Sequence, residues 1–236
     1  MMMVPFMSCS ARLPVYMLFV SAFFAEQKAI VMLSLYIIGI LLSICFAWVM
    51  QHMPAFRQPK HDYVSELPPY RRPTLRNTGL HIWERVADYL QKIPAVIIWA
   101  SVIIWALTYF PTGDMNHMEE SYLASIGHWI EPVMRPLGFD WKMSVCLLTG
   151  LPAKEAIVST MGILYPADTA LSAFTPVTAF AFMVFVLLYF PCVATITTLR
   201  REIGAKWAWF SVGQSLILAW VLSFVIYQVG QLVVGA

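Results

Sequence analysis

The sequence predicts an all-α fold: a polytopic helical membrane protein with broken or re-entrant helices and an amphipathic surface helix. Three observations carry this. Of the 236 residues, 60% are hydrophobic and 12% charged, with a mean hydropathy of +0.70. A soluble domain averages about 45–50% apolar and about 25% charged residues. Several apolar runs approach the ~20 residues that a helix needs to cross a bilayer. Two of those runs carry glycine or proline where the helix is expected to break.

Taken in order, residues 13–25, "LPVYMLFVSAFFA", are apolar but too short alone to span. Residues 29–50, "AIVMLSLYIIGILLSICFAWVM", carry no charge and fit one crossing. The linker 54–73 holds Pro54, Pro59, Pro68, Pro69 and Pro73 and is expected to be extended and exposed. In "TLRNTGLHIWERVADYLQKI", Leu75, Leu80, Trp83, Val86, Leu90 and Ile93 recur at helical spacing among charged residues. That pattern predicts an amphipathic helix on the membrane surface before the chain turns into the bilayer. Residues 94–110 are just long enough to cross, and 119–135 read as a weaker surface helix. Residues 143–165 are expected to enter and return, or to form a broken helix. Residues 175–196 fit a crossing that carries Pro191, and 207–229 fit a last one. Trp48, Trp105, Tyr109, Trp207 and Trp209 fall near span ends, where an interfacial belt places aromatic rings.

Charge sets the expected orientation. Arg57, Lys60, Arg71, Arg72, Arg76, Arg85 and Lys92 crowd 51–93, and Arg200, Arg201 and Lys206 follow the Pro191 run. Positive loops stay in the cytoplasm. The stretch 111–140, with one arginine against five acidic residues, is expected outside. An odd number of crossings then lies between 140 and 198.

The interruptions carry the chemistry. In "GLPAKEAIVST", Gly150 and Pro152 predict a new helix starting near Leu151, with Pro tolerated in its first turn. Free N–H groups and a partial positive charge at that start favour Glu155. Lys154 lies ~100° further round a helix, so the two do not pair face to face. Charges at membrane depth cost at least ~2.5–3.5 kcal/mol each. A discontinuous helix with an ionisable residue at its break is the pattern of a transporter site. The plainer reading is that Lys154 snorkels to an interface and Glu155 is its solvated neighbour. In "YFPCVATITTLRRE", Pro191 is expected to kink a helix and free the carbonyl of Leu187 beside Cys192, with Thr195, Thr197 and Thr198 close enough to re-satisfy backbone groups. "Pro…C-x-A-x-[L/I]" occurs at Pro5, Cys9, Ala11 and Leu13, and again at Pro191, Cys192, Ala194 and Ile196. Paired broken segments of this kind point to a repeat.

The four cysteines, Cys9, Cys45, Cys146 and Cys192, show no CxxC spacing and are not expected to form disulfides. Nothing basic precedes the first apolar residues, so the N-terminus does not read as a signal peptide. His117 and His128 fall in the expected outer loop, where imidazole would gather metal or simply be solvated; His52, His61 and His81 read as solvated. No nucleophile–base or acid pair has a plausible spacing, so an enzyme is not expected.

"PFMSCSARLPVY", "ELPPYRRPTLRN", "HIWERVADYL", "LLTGLPAKEAIVSTMGILY" and "PCVATITTLRREIGAKWAWFSVG" together resemble the membrane region of the bacterial ferrous iron transport protein B family, in order and over nearly the whole chain. The resemblance implies an N-terminal GTP-binding domain, a spacer and a polytopic domain with two gate repeats. It implies that 1–25 ends a first gate, 26–53 is a transmembrane segment, 54–93 is the cytoplasmic linker and amphipathic helix, and 94–236 holds the second gate. Two departures follow. No G-x-x-x-x-G-K-[ST] occurs, so nucleotide binding would reside elsewhere. The front of the first gate is missing, which implies a truncated or split chain.

On this resemblance the expected cargo is Fe2+, with no stably bound cofactor. Cys9 and Cys192 are expected to approach one another as transient sulfur ligands, with Glu155 supplying a carboxylate and the breaks supplying carbonyl oxygens. Gly150, Pro152, Lys154, Ser159, Pro191 and Thr195 are expected along the pathway. Lys154 would hold an acidic partner or sense the GTP-binding part. Expected partners are the lipid bilayer, a GTP-binding domain or separate GTP-binding protein, and a second copy of the chain, with no nucleic acid. The expected location is the inner membrane, crossed several times. Two other readings stand beside it: a gate-type transporter of another solute such as a nucleoside, and a non-transporting assembly subunit that binds a partner through 51–93.

Overall fold

The computed structural model describes residues 6, 9–52, 74–110, 121–152, 154–165 and 174–234. All regular structure among them is helical. A 3₁₀ turn, Ser10–Arg12, leads into α1 (Leu13–Phe23). Then come α2 (Lys28–His52), α3 (Leu75–Tyr109), α4 (Tyr122–Met134), a second 3₁₀ turn (Arg135–Leu137), α5 (Trp141–Thr149), α6 (Ala156–Leu164), α7 (Pro176–Leu188), α8 (Val193–Glu202) and α9 (Ala205–Val234). The Pro-rich linker 54–73, His61 and His117 lie outside the described residues.

Local chemistry sets several ends. Ser121 caps α4 by accepting from the Ala124 N–H at 3.2 Å, and Thr175 caps α7 by accepting from the Thr178 N–H at 3.2 Å. Pro176 opens α7 at a position where a missing N–H costs nothing. Gly204, at φ +86°, makes the corner between α8 and α9, a conformation that disfavours any side chain.

The centre is α7. Ala179 and every side chain from Ala181 to Leu188 are buried. The helix is apolar all round, which is how a fully enclosed helix reads. The other helices wrap it. Phe19 of α1 meets Phe182 with ring centroids 5.2 Å apart, and Phe139 stands edge-on to both Phe182 and Phe185. On the opposite side α9 lies along α7 with small residues inward: Ser211, Ser215, Ala219 and Ser223 are buried. Ser223 Oγ donates to the Ala181 carbonyl at 3.1 Å. In lipid, where apolar contact alone gives no drive to associate, small residues that let backbones approach and hydroxyls that bond across helices hold such pairs together. Trp220 Nε1 donates to the Val133 carbonyl at 3.0 Å and ties α9 to α4.

The outer surface is apolar as well. Ile30, Leu33, Ile40 and Ile44 of α2 and Ile217, Val221, Val225 and Val229 of α9 are exposed. So are Trp48 and Trp209, at 62% and 64%. Contiguous exposed apolar surface on helices long enough to cross a bilayer is the arrangement of a membrane protein.

Three expectations are corrected. The surface helix and the 94–110 span are one continuous helix, α3, because the backbone remains helical through Pro94. The helix after Gly150 begins at Ala156 and not near Leu151, because Gly150, Leu151, Pro152, Lys154 and Glu155 stay in turns. Pro191 does not kink a helix. It sits in a full break between Leu188 and Val193, since a ring that removes a donor and crowds the carbonyl four residues back is met here by termination of α7.

Candidate functional site

Both interruptions are real gaps in helices. α5 and α6 have nine residues each, or roughly 13 Å, and neither alone crosses a ~30 Å hydrocarbon core. α7 and α8, with thirteen and ten residues, are likewise halves on either side of 189–192.

The first break starts at the end of α5, where the Cys146 carbonyl accepts from the Gly150 N–H at 3.1 Å and from the Thr149 hydroxyl at 2.9 Å. The chain then turns through Leu151 and the buried Pro152 to Lys154 and Glu155. The Lys154 and Glu155 carbonyls accept from the Ile157 and Val158 N–H groups, which winds the first turn of α6. Glu155 stands at the N-cap, with no side-chain capping bond.

The second break starts at Tyr189, the cap of α7, and runs through the buried Pro191 to Cys192, the cap of α8. Cys192 Sγ lies 3.0 Å from Thr195 Oγ1. The thiol is half-buried, as is Thr195, and its rotamer is fixed by that contact one helical turn on. The basic Arg200 and Arg201 occupy the last turn of α8, where the helix dipole favours them.

The two breaks meet at Tyr189, a residue that sequence reasoning did not single out. A Cβ on Gly150 would stand 2.6 Å from the Tyr189 hydroxyl and 2.4 Å from Ile157 Cγ1, so only glycine permits this approach. Lys154 Nζ sits over the Tyr189 ring, 4.8 Å from its centroid. The one signal in the sequence was position: Tyr189 stands two residues before the helix-breaking proline.

Lys154 and not Glu155 is the inward group. Lys154 is 3% exposed, whereas Glu155 is exposed. Lys154 therefore does not snorkel. Arg12, also 3% exposed, lies near enough to act on its charge, as do Cys9 and Cys192. Cys9 and Arg12 thus lie within electrostatic range of the first break. Cys9 is exposed and caps the Ser10–Arg12 turn, and Cys192 caps α8. Each cysteine has extended backbone and precedes a helical segment, which gives the two Pro…C-x-A-x-[L/I] motifs a common local geometry. Ser159 is exposed on α6. Among the described residues, no three of His, Cys, Asp and Glu gather closely enough to hold a metal ion, so Cys9, Cys192 and Glu155 do not form a closed three-ligand set. His128 lies on α4 with Nδ1 3.2 Å from Glu131 Oε2, away from the breaks in sequence and element. Cys45 is exposed and Cys146 is buried; both are free thiols.

This arrangement can be set beside known proteins. The family model described as "Ferrous iron transport protein B C terminus" matches residues 32–85, and the Gate model, described as "Nucleoside recognition", matches 90–206. A protein of Staphylococcus aureus (strain COL) named Fe(2+) transporter FeoB is 40% identical over 98% of this chain and 36% of its own length. The chain belongs to the ferrous iron transport protein B family. Another member, the Fe(2+) transporter FeoB of Methanocaldococcus jannaschii, is 37% identical over 97% of this chain and 36% of its own. The "Fe(2+) transport protein A/Fe(2+) transporter FeoB fusion protein" of Porphyromonas gingivalis is 38% identical over 98% of this chain and 34% of its own length. The chain therefore spans about a third of the length of these curated relatives and corresponds to their C-terminal part. No solved structure matches it.

Proposed function

We propose that this chain is the membrane-spanning part of a ferrous iron uptake transporter of the inner membrane, crossing the bilayer several times. The ion crosses where the two helix breaks meet. The observation that carries this reading is the packing of Gly150 and Lys154 against Tyr189, which places one break against the other beside Cys192. Broken helices put unsatisfied carbonyls and N–H groups at membrane depth, where they serve a passing ion rather than a ladder.

In this account Fe2+ is cargo and no cofactor is held. Cys192 and Cys9 offer soft, exchangeable sulfur contacts, and carbonyl oxygens around Gly150 and Pro191 offer hard ones. Glu155, on the exposed side of the first break, supplies local negative charge at its mouth. A site without three strong ligands suits passage, since the ion has to leave as readily as it arrives. The GTP-binding function belongs to another part of the full protein or to a separate partner. No enzymatic activity is assigned to this chain.

The test is Cys192→Ser in a full-length transporter that contains this region. Fe2+ uptake falls while membrane abundance is unchanged; unchanged uptake rules out the thiol. The Gate model carries the description "Nucleoside recognition", but the relatives are named Fe(2+) transporters and the nucleoside reading is not favoured. Nucleoside uptake by the same preparation, with no Fe2+ uptake, would establish that reading instead.

A further inference from the structure

Among the described residues, Lys154 is a buried cation that packing does not explain. It is 3% exposed, and its Nζ has no hydrogen-bond partner among the described residues. An ammonium buried without a carboxylate or carbonyl is costly, and an ionisable residue inside a membrane region is a functional-site candidate. No Asp or Glu is buried among the described residues, so no acid is enclosed with it. Its Nζ faces the ring of Tyr189; the thiols of Cys9 and Cys192 lie within electrostatic range and favour the charge, while the like charge of Arg12 opposes it. A π face and sulfur atoms are cation-tolerant surroundings.

We propose that Lys154 is a tethered stand-in for the transported cation: its ammonium holds the position beside Cys192 and Tyr189 while the pathway is empty, and a divalent ion enters only as the ammonium leaves. This deepens the reading given under Proposed function and rests on it. Three features fit. Lys154 lies in the turn of the first break, outside the helical ladder that would fix its backbone on both sides. Its four-carbon stem gives the charge reach. Its neighbour Glu155 is exposed, which gives the departing ammonium a carboxylate at the edge of the break. An ammonium and a dication repel in a confined site of low dielectric, so the two occupy it alternately. Leak is thereby suppressed without a closed lid.

The test reads charge at the thiol. The chain is reconstituted in lipid vesicles with Cys9→Ser and Cys45→Ser, which leaves Cys192 as the accessible thiol because Cys146 is buried. Anionic and cationic methanethiosulfonate reagents of similar size are compared. With Lys154 present, the anionic reagent reacts about tenfold faster than the cationic one, as a fixed local charge concentrates its counter-ion. Lys154→Met lowers the ratio severalfold, the remainder coming from the Arg12 guanidinium, and Lys154→Arg keeps it high. Fe2+ under anoxic conditions protects Cys192 at a lower concentration in Lys154→Met than with Lys154 intact. Equal anionic and cationic rates in the protein that retains Lys154 overturn the placement of the ammonium, whatever the variants do. A charge-dependent ratio with no protection by Fe2+ in any form sinks the cargo position itself, and the stand-in role with it.

Discussion

The two breaks solve one problem with different materials. The break at 150–155 is longer, carries both charges, and depends on the absence of a side chain at Gly150. The break at 189–192 is short and uncharged, and is set by a proline and a thiol that contacts Thr195. The first is shaped by backbone reach and holds a buried cation. The second presents the candidate ligand. A buried charge and a thiol are a combination that neither break supplies alone, and Tyr189 is where they join.

That contrast can be broken in several places. The largest effect is expected at the fixed side. Cys192→Ser lowers Fe2+ uptake by about tenfold or more, as loss of one soft ligand in a sparse site exceeds ~1.4 kcal/mol. Uptake normalised to membrane abundance checks it. Gly150→Val comes next and strikes the contact between the breaks. Its added atoms collide with Ile157 and Tyr189, and overpacking of this kind costs ~1–3 kcal/mol. Thermal stability in detergent falls, and uptake falls with it. Thr195→Val keeps the shape of the second break and removes the hydroxyl beside Sγ. Folding is retained, and reactivity of Cys192 toward a neutral thiol reagent changes severalfold, since a hydrogen bond at the sulfur is lost for about 0.5–1.5 kcal/mol. Smallest is Ser223→Ala, remote from both breaks. It removes the bond to the Ala181 carbonyl and costs ~0.6 kcal/mol, near the average for such interhelical bonds in membranes. Its uptake stays normal, which separates the stability of α7 from the chemistry at its end.

Much of the fold was legible because hydropathy is a property of runs. The apolar stretch 29–50 becomes α2 and 207–229 becomes most of α9, and Gly150, Pro152 and Pro191 mark where helices stop. What was not legible depends on contacts between distant segments. Lys154 and Glu155 are adjacent in a turn, so no helical period tells which faces inward; the ring of Tyr189, over which Lys154 packs, decides it. The continuity of α3 through Pro94 was missed because a change from amphipathic to apolar composition looks like an end. The central place of α7 was written in "AFMVFVLL", which offers no polar face at all, yet an apolar run reads the same whether lipid or protein surrounds it.

Site-directed cross-linking between the breaks tests the central claim most directly. Cys192 is kept, Cys9 and Cys45 are changed to serine, and Lys154→Cys and Glu155→Cys are made separately in the membrane-embedded protein. With a short bifunctional thiol reagent, the Lys154→Cys protein should form an internal link to Cys192 that the Glu155→Cys protein does not. A link from position 155 and none from position 154 would contradict the account.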